Sequence, residues 1–229
     1  MSISENIASV LQRISFSAIK AGRRTEEVKL VCVTKESDVE MARMAISCGI
    51  TDIGENRVQE AISKYRSLGN VVRWHMVGHL QRNKAKDAVE IFDLLHSVDS
   101  LSLMEELNKQ AGRLNKRQDV LIQGNVQGEK QKFGIDPQGV KELITAAPNF
   151  QNIKVIGLMT IAPIVGDKER TRPIFRNLKQ MAREISALQI KDVEMRELSM
   201  GMTQDFEVAI EEGSTMVRIG SAIFKNQEI

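Results

Sequence analysis

VCVTK (31–35) ends on a lysine, and the residues that lead into it are apolar or β-branched. Val31, Val33 and Thr34 favour a strand, and Glu36-Ser37-Asp38 then opens a helical pattern. On alternation, Val31, Val33 and Lys35 share one face, and Leu30, Cys32 and Thr34 the other. Both faces are largely apolar, as in a parallel strand covered on two sides. A lysine at such a strand end costs free energy unless its amine has a task or a partner. The plain alternative is a surface lysine just past the strand.

Working outward, strands and helices alternate. KLVCVT (29–34) precedes a predicted helix over 38–48, with Gly49 as its C-cap. TDIGE (51–55) precedes 56–67, VRWHMVG (72–78) precedes 82–90, and DLLHSVD (93–99) precedes 100–114. DVLIQGNV (119–126) leads through a glycine-containing loop into 137–146, and KVIGLMT (154–160) through another into 170–188. EMRELSM (194–200) precedes 203–212, and TMVRIGS (215–221) leads into a short final turn. Ile3, Ile7, Val10, Leu11, Ile14 and Ala18 place one more helix ahead of the first strand, outside the repeat. Eight strand-helix units imply right-handed crossovers and a parallel sheet. In 229 residues they predict a single (β/α)8 TIM-type barrel with an extra N-terminal helix, one domain over 1–229. An open doubly wound sheet is the alternative, but no G-x-G-x-x-G follows the first strand.

The composition, 42% hydrophobic and 27% charged, is that of a globular protein. A net charge of +2 gives no argument for nucleic acid, and no apolar run reaches membrane-spanning length. With no apolar leader and cysteines that read as reduced, the expected location is cytoplasmic. No metal spacing is present: His75 and His79 lack a third ligand, and His79 reads as a hydrogen-bonded residue near the barrel mouth. His96 reads as a satisfied polar group, Trp74 as packing between barrel and helices, and QRNKAK (81–86) as a solvated helix start.

In a barrel, residues at the C-terminal strand ends share one mouth, where active sites of this fold lie. Here they are Lys35, Glu55, Asn56, His79, Asn125, Thr160, Ser199 and Arg218. SMGMT (199–203) and GSAIF (220–224) add two glycine-containing turns after the seventh and eighth strands, the usual phosphate position. Helix capping is their bland reading. Arg218 can donate to a ring nitrogen but not accept from it; an ion pair with Glu55 or Glu197 is the alternative. An amine, a phosphate cradle and such a donor together describe a site for pyridoxal 5'-phosphate (PLP).

The sequence resembles the pyridoxal phosphate homeostasis protein family, relatives of the alanine racemase barrel. The resemblance is carried by VTK (33–35), GENRVQE (54–60), WHMVGHLQRNK (74–84), KFG (132–134), GLMTIAP (157–163), LSMGMTQDFEVAI (198–210) and STMVRIGSAIF (214–224). It implies a Schiff base at Lys35, phosphate contacts from Ser199, Gly220 and Ser221, Arg218 near the pyridine nitrogen, and Asn56 close to the cofactor. Thr203, Gly124 and Lys225 depart from the family's usual residues, the first keeping a hydroxyl. The expected function is to hold PLP in vitamin B6 homeostasis with little or no turnover and no catalytic residue. PLP-dependent apoenzymes are candidate recipients, and the expected state is monomeric. The alternative is a PLP-dependent racemase-like enzyme, whose second base would be a tyrosine from an added β-domain. The only tyrosine, Tyr65, falls in the helix after the second strand, and the sequence stops soon after the eighth. A third reading, a Schiff-base aldolase without PLP, would leave the protein colourless.

Overall fold

Eight parallel strands pair in chain order and the first closes on the last, so the eight units form a closed barrel. The computed structural model describes residues 2–125 and 134–225. Most of the loop expected over 126–136, with Lys132 and Phe133 of the KFG stretch, lies outside the described residues.

Strand β1 (Lys29–Val33) is followed by α2 (Val39–Ser47), β2 (Asp52–Glu55) by α3 (Val58–Leu68), β3 (Arg73–Met76) by α4 (Ala85–Ile91), and β4 (Leu94–Val98) by α5 (Leu101–Arg113). Strand β5 (Gln118–Gln123) precedes α6 (Pro137–Ala146), β6 (Ile153–Met159) precedes α7 (Arg172–Ala187), β7 (Val193–Met202) precedes α8 (Phe206–Glu211), and β8 (Met216–Ile219) precedes α9 (Ser221–Phe224). The first helix, α1 (Ile3–Lys20), begins with a capping box in which Ser2 and Glu5 satisfy each other's backbone N–H. Strand β8 is shorter than the apolar run suggests, because Ser221 already starts α9. Strand β7 runs longer, through a register shift between Ser199 and Met202.

The core has two compartments. Val31, Val33, Val77, Leu94, Leu121, Ile156, Met159 and Met216 pack together inside the barrel. The larger cluster lies between barrel and helices and includes Cys32, Ile53 and Trp74. The alternation read from β1 is therefore observed, with Val31 and Val33 inward and Leu30 and Cys32 outward. Trp74 donates its indole N–H to the Gly69 carbonyl at 2.9 Å and meets Tyr65 edge-on at 5.7 Å.

Helix α1 packs outside the barrel, against α8 and α9. Asn6 Nδ2 donates to the Ile223 carbonyl at 3.0 Å, Arg13 pairs with Glu207 at 3.1 Å, and the Arg13 guanidinium lies 4.6 Å over the Phe206 ring. It thus braces the elements that follow β7 and β8. Among the described residues, no helix is long and apolar enough to cross a membrane.

Candidate functional site

The C-terminal end of β1 turns sharply. The Ser37 N–H donates to the Thr34 carbonyl at 3.1 Å, which puts Lys35 and Glu36 at the turn's centre, with Glu36 at φ 63°. Lys35 is exposed at the mouth, and its amine has no hydrogen bond or ion pair to another described residue. The turn after β8 lies directly beside this strand end. A Cβ on Gly220 would stand 2.7 Å from the Val33 carbonyl oxygen, so only glycine permits the approach. The Ser221 hydroxyl then donates to the Thr203 hydroxyl at 3.0 Å and joins the turns after β7 and β8. Gly201, at φ 92° and packed on Phe206 and Ala209 of α8, sets the bend that brings Thr203 there. Asn56, half-buried, directly follows Glu55 at the end of β2.

Below the mouth, a chain of buried polar side chains crosses the barrel interior. Asp52, His75 and His96 occupy inward positions on β2, β3 and β4. Asp52 Oδ1 lies 2.8 Å from His75 Nε2, His75 Nδ1 is 3.0 Å from His96 Nε2, and His96 Nδ1 is 2.8 Å from the Ser199 hydroxyl. Arg218 donates to that hydroxyl at 2.6 Å and to the Thr160 carbonyl at 2.9 Å. Arg218 can only donate and the Asp52 carboxylate only accept. The chain runs one way: Arg218 to Ser199, Ser199 to His96, His96 to His75, His75 to Asp52. Every member is satisfied, as a buried network must be.

Electrostatics fit this order. Burial raises the Asp52 carboxyl, but hydrogen bonds from His75 and Thr51 outweigh it and hold the group below its usual range. Burial, reinforced by His75 and Arg218, keeps His96 well below the ordinary histidine value of 6.5. Burial also pulls the Arg218 guanidinium down to about 10, against the attraction of Asp205. A histidine kept neutral in the fold but free to protonate when unfolded contributes stability above its unfolded pKa. That contribution is lost as pH falls below it. Unfolding free energy is therefore expected to drop from pH 6.5 to 5.5 by about 1 kcal/mol through His96. Denaturant titrations of the wild type and of His96→Gln check this; an equal slope in both would remove His96 as the source.

Two residues take partners that the sequence did not reveal. Arg218 pairs with neither Glu55 nor Glu197: Glu55 accepts from Lys64 at 2.6 Å, and Glu197 from Lys29 at 2.7 Å. The Ser199 hydroxyl lies in the interior chain, where its proton goes to His96, rather than in the turn with Ser221. His75 and His79 separate as well: His75 is inside the barrel, and His79 is exposed beyond β3 with Nδ1 3.5 Å from Asp99 Oδ2.

The alanine racemase N-terminal domain family matches residues 11–228. A pyridoxal phosphate homeostasis protein of Aquifex aeolicus is 42% identical over 98% of this chain and 98% of its own, and one of Escherichia coli K12 is 37% identical over 97% and 95%. The chain belongs to the pyridoxal phosphate homeostasis protein family. A solved structure, PipY of Synechococcus elongatus PCC7942 with PLP bound, superposes with a TM-score of 0.85 at 34% identity, over 97% of this chain and all of that one. An alanine racemase of Clostridium difficile 630 shares the fold at 19% identity, with a TM-score of 0.75 over 98% of this chain and 58% of the racemase.

Proposed function

We propose that this chain binds PLP at the barrel mouth between β1, β7 and β8, with Lys35 as the amine that takes the cofactor's aldehyde into a Schiff base. Its role is to hold PLP and release it to apoenzymes within vitamin B6 homeostasis, rather than to turn over a substrate. The observation that carries this reading is the close packing of Gly220 on the Val33 carbonyl. It sets the Ser221–Thr203 hydroxyl pair beside the backbone leading to a lysine whose amine has no partner among the described residues.

The residues fit the group. An exposed amine suits an aldehyde, paired hydroxyls beside a glycine turn suit a phosphate, and the buried Arg218 suits a ring nitrogen that accepts. Asn56 flanks the ring in this reading. Ser199 acts by holding Arg218, and Gly220 by the space and backbone it leaves for the phosphate. The relative solved with PLP bound supports PLP as the cofactor.

The test is titration with PLP, reading near-visible absorbance, then borohydride reduction and peptide mapping. An adduct on Lys35 is expected; a colourless protein would overturn the reading. For the cradle, Ser221→Ala with Thr203→Ala is expected to weaken PLP at least tenfold, because hydrogen bonds to a charged group contribute roughly 1.5–3 kcal/mol each. Binding of phosphate-free pyridoxal should be almost unchanged. Equal losses for both ligands would place the phosphate elsewhere.

A further inference from the structure

Lys64 interrupts the apolar stripe of α3. It is buried alongside Val58, Ala61 and Leu68, with its side chain only 7% exposed. A buried ammonium requires partners, and Lys64 has two: Nζ lies 2.6 Å from Glu55 Oε1 and 2.5 Å from the Thr34 carbonyl. The Thr34 hydroxyl donates to the same Glu55 oxygen. Glu55 is fully buried, and burial pushes its carboxyl up against the pull of Lys64 and Thr34. Its second oxygen has no partner among the described residues. The carboxylate is thus oriented toward Thr34 and Lys64 at the expense of its own hydrogen bonding.

Thr34 immediately precedes Lys35, and its carbonyl also accepts from Ser37 to close the turn. That turn needs support. Glu36 occupies the left-handed region at φ 63°, which is disfavoured for any residue with a Cβ. It is exposed, and its carboxylate has no hydrogen bond to a described residue that would favour the conformation. A turn that relaxed to negative φ at Glu36 would shift the backbone of Lys35, which Thr34 joins to the Val33 end beside Gly220.

We propose that Lys64 and Glu55 are positioning residues for Lys35. The buried pair grips Thr34 by its hydroxyl and its carbonyl and so maintains the left-handed turn that presents the amine to the cofactor. This rests on Lys35 being the PLP amine. A pair that only fastened α3 to the barrel would leave PLP binding untouched by the conformation of residue 36.

That difference sets the test. Lys64→Met with Glu55→Leu removes both charges together and avoids an unpaired buried ion. The expected result is a folded protein whose apparent Kd for PLP rises about tenfold or more, as small displacements of reacting groups commonly produce. Adding Glu36→Gly, which takes positive φ freely, should recover most of the affinity. Glu36→Gly alone should leave affinity within twofold, since the grip already holds the turn. Wild-type affinity without the pair, or a loss that Glu36→Gly does not repair, would overturn the proposal. If the double variant does not fold, Thr34→Val supplies the same comparison by removing one of the two holds. Faster hydrogen exchange at the Ser37 amide, reversed by Glu36→Gly, is then expected; unchanged exchange would overturn the proposal. Should borohydride mapping find PLP on another lysine, the function reading fails, while Ser37 exchange still decides whether the pair holds the turn.

Discussion

Lys35→Ala is expected to leave the barrel folded and to abolish borohydride-stable attachment of PLP. The side chain is exposed and has no partner among the described residues, so its removal breaks no interaction with them. Substitutions of that kind usually change stability by less than about 0.5 kcal/mol. The chemical loss should be complete, because a covalent link needs a free amine at the right place. Lys64 is the lysine whose ammonium lies closest behind the turn, and it is occupied by Glu55 and the Thr34 carbonyl. Lys225, exposed just past α9, is a competing amine among the described residues. The measurement is absorbance on PLP addition, then mapping of the reduced adduct in both proteins. An undiminished band in Lys35→Ala, or an adduct on Lys64 or Lys225 in the wild type, would show that the amine is misassigned.

The barrel could be read from local signals because each of its units carries its own. Apolar runs such as Leu30–Val33 and Val120–Ile122 are short and flanked by caps, and Asp38 and Ser100 do cap α2 and α5. Lys35, Gly220 and Ser221 could be placed at one mouth from strand ends alone. The interior chain could not. Asp52, His75 and His96 meet only because β2, β3 and β4 pair in the observed register, with Gly54 opposite His75. A one-residue slip would send each to the other face. The usable signal was their parity: each stands on the inward face of its strand. The partners of Ser199 were hidden for the same reason, since its strand end is near the cradle while its hydroxyl meets His96 and Arg218. Lys64 was hidden by its charged surroundings in SKYR (63–66). Its spacing from Ala61 and Leu68 does put it on the buried stripe, which identifies it as a paired lysine.

The PLP-loaded protein is expected to show no Cα–H exchange of L- or D-alanine at enzymatic rates. When bound, PLP supplies a ring that accepts the electron pair of a broken Cα–H bond, best when its nitrogen is protonated. With Arg218 as the partner of that nitrogen, the ring faces a donor. Its guanidinium, even pulled down to about 10 by burial, keeps its proton at neutral pH and has no lone pair to accept another. A carboxylate there would hold the proton on the ring, but Asp52 lies at the far end of the chain, beyond Ser199, His96 and His75. Proton transfer on both faces also needs two bases. Lys35 serves one. The single tyrosine of the sequence, Tyr65, belongs to α3 and packs against Trp74 outside the barrel. Among the described residues, His79 is a further exposed base near the mouth, with Asp99 Oδ2 3.5 Å from its Nδ1. A single base exchanges the Cα proton on its own face only, and a weak electron acceptor slows that abstraction, so binding and release proceed without efficient turnover. NMR of alanine in deuterated water with excess loaded protein measures the rate. Exchange within the usual turnover range of about 1–10³ s⁻¹ would restore the racemase-like alternative, and its loss in His79→Ala would identify the second base.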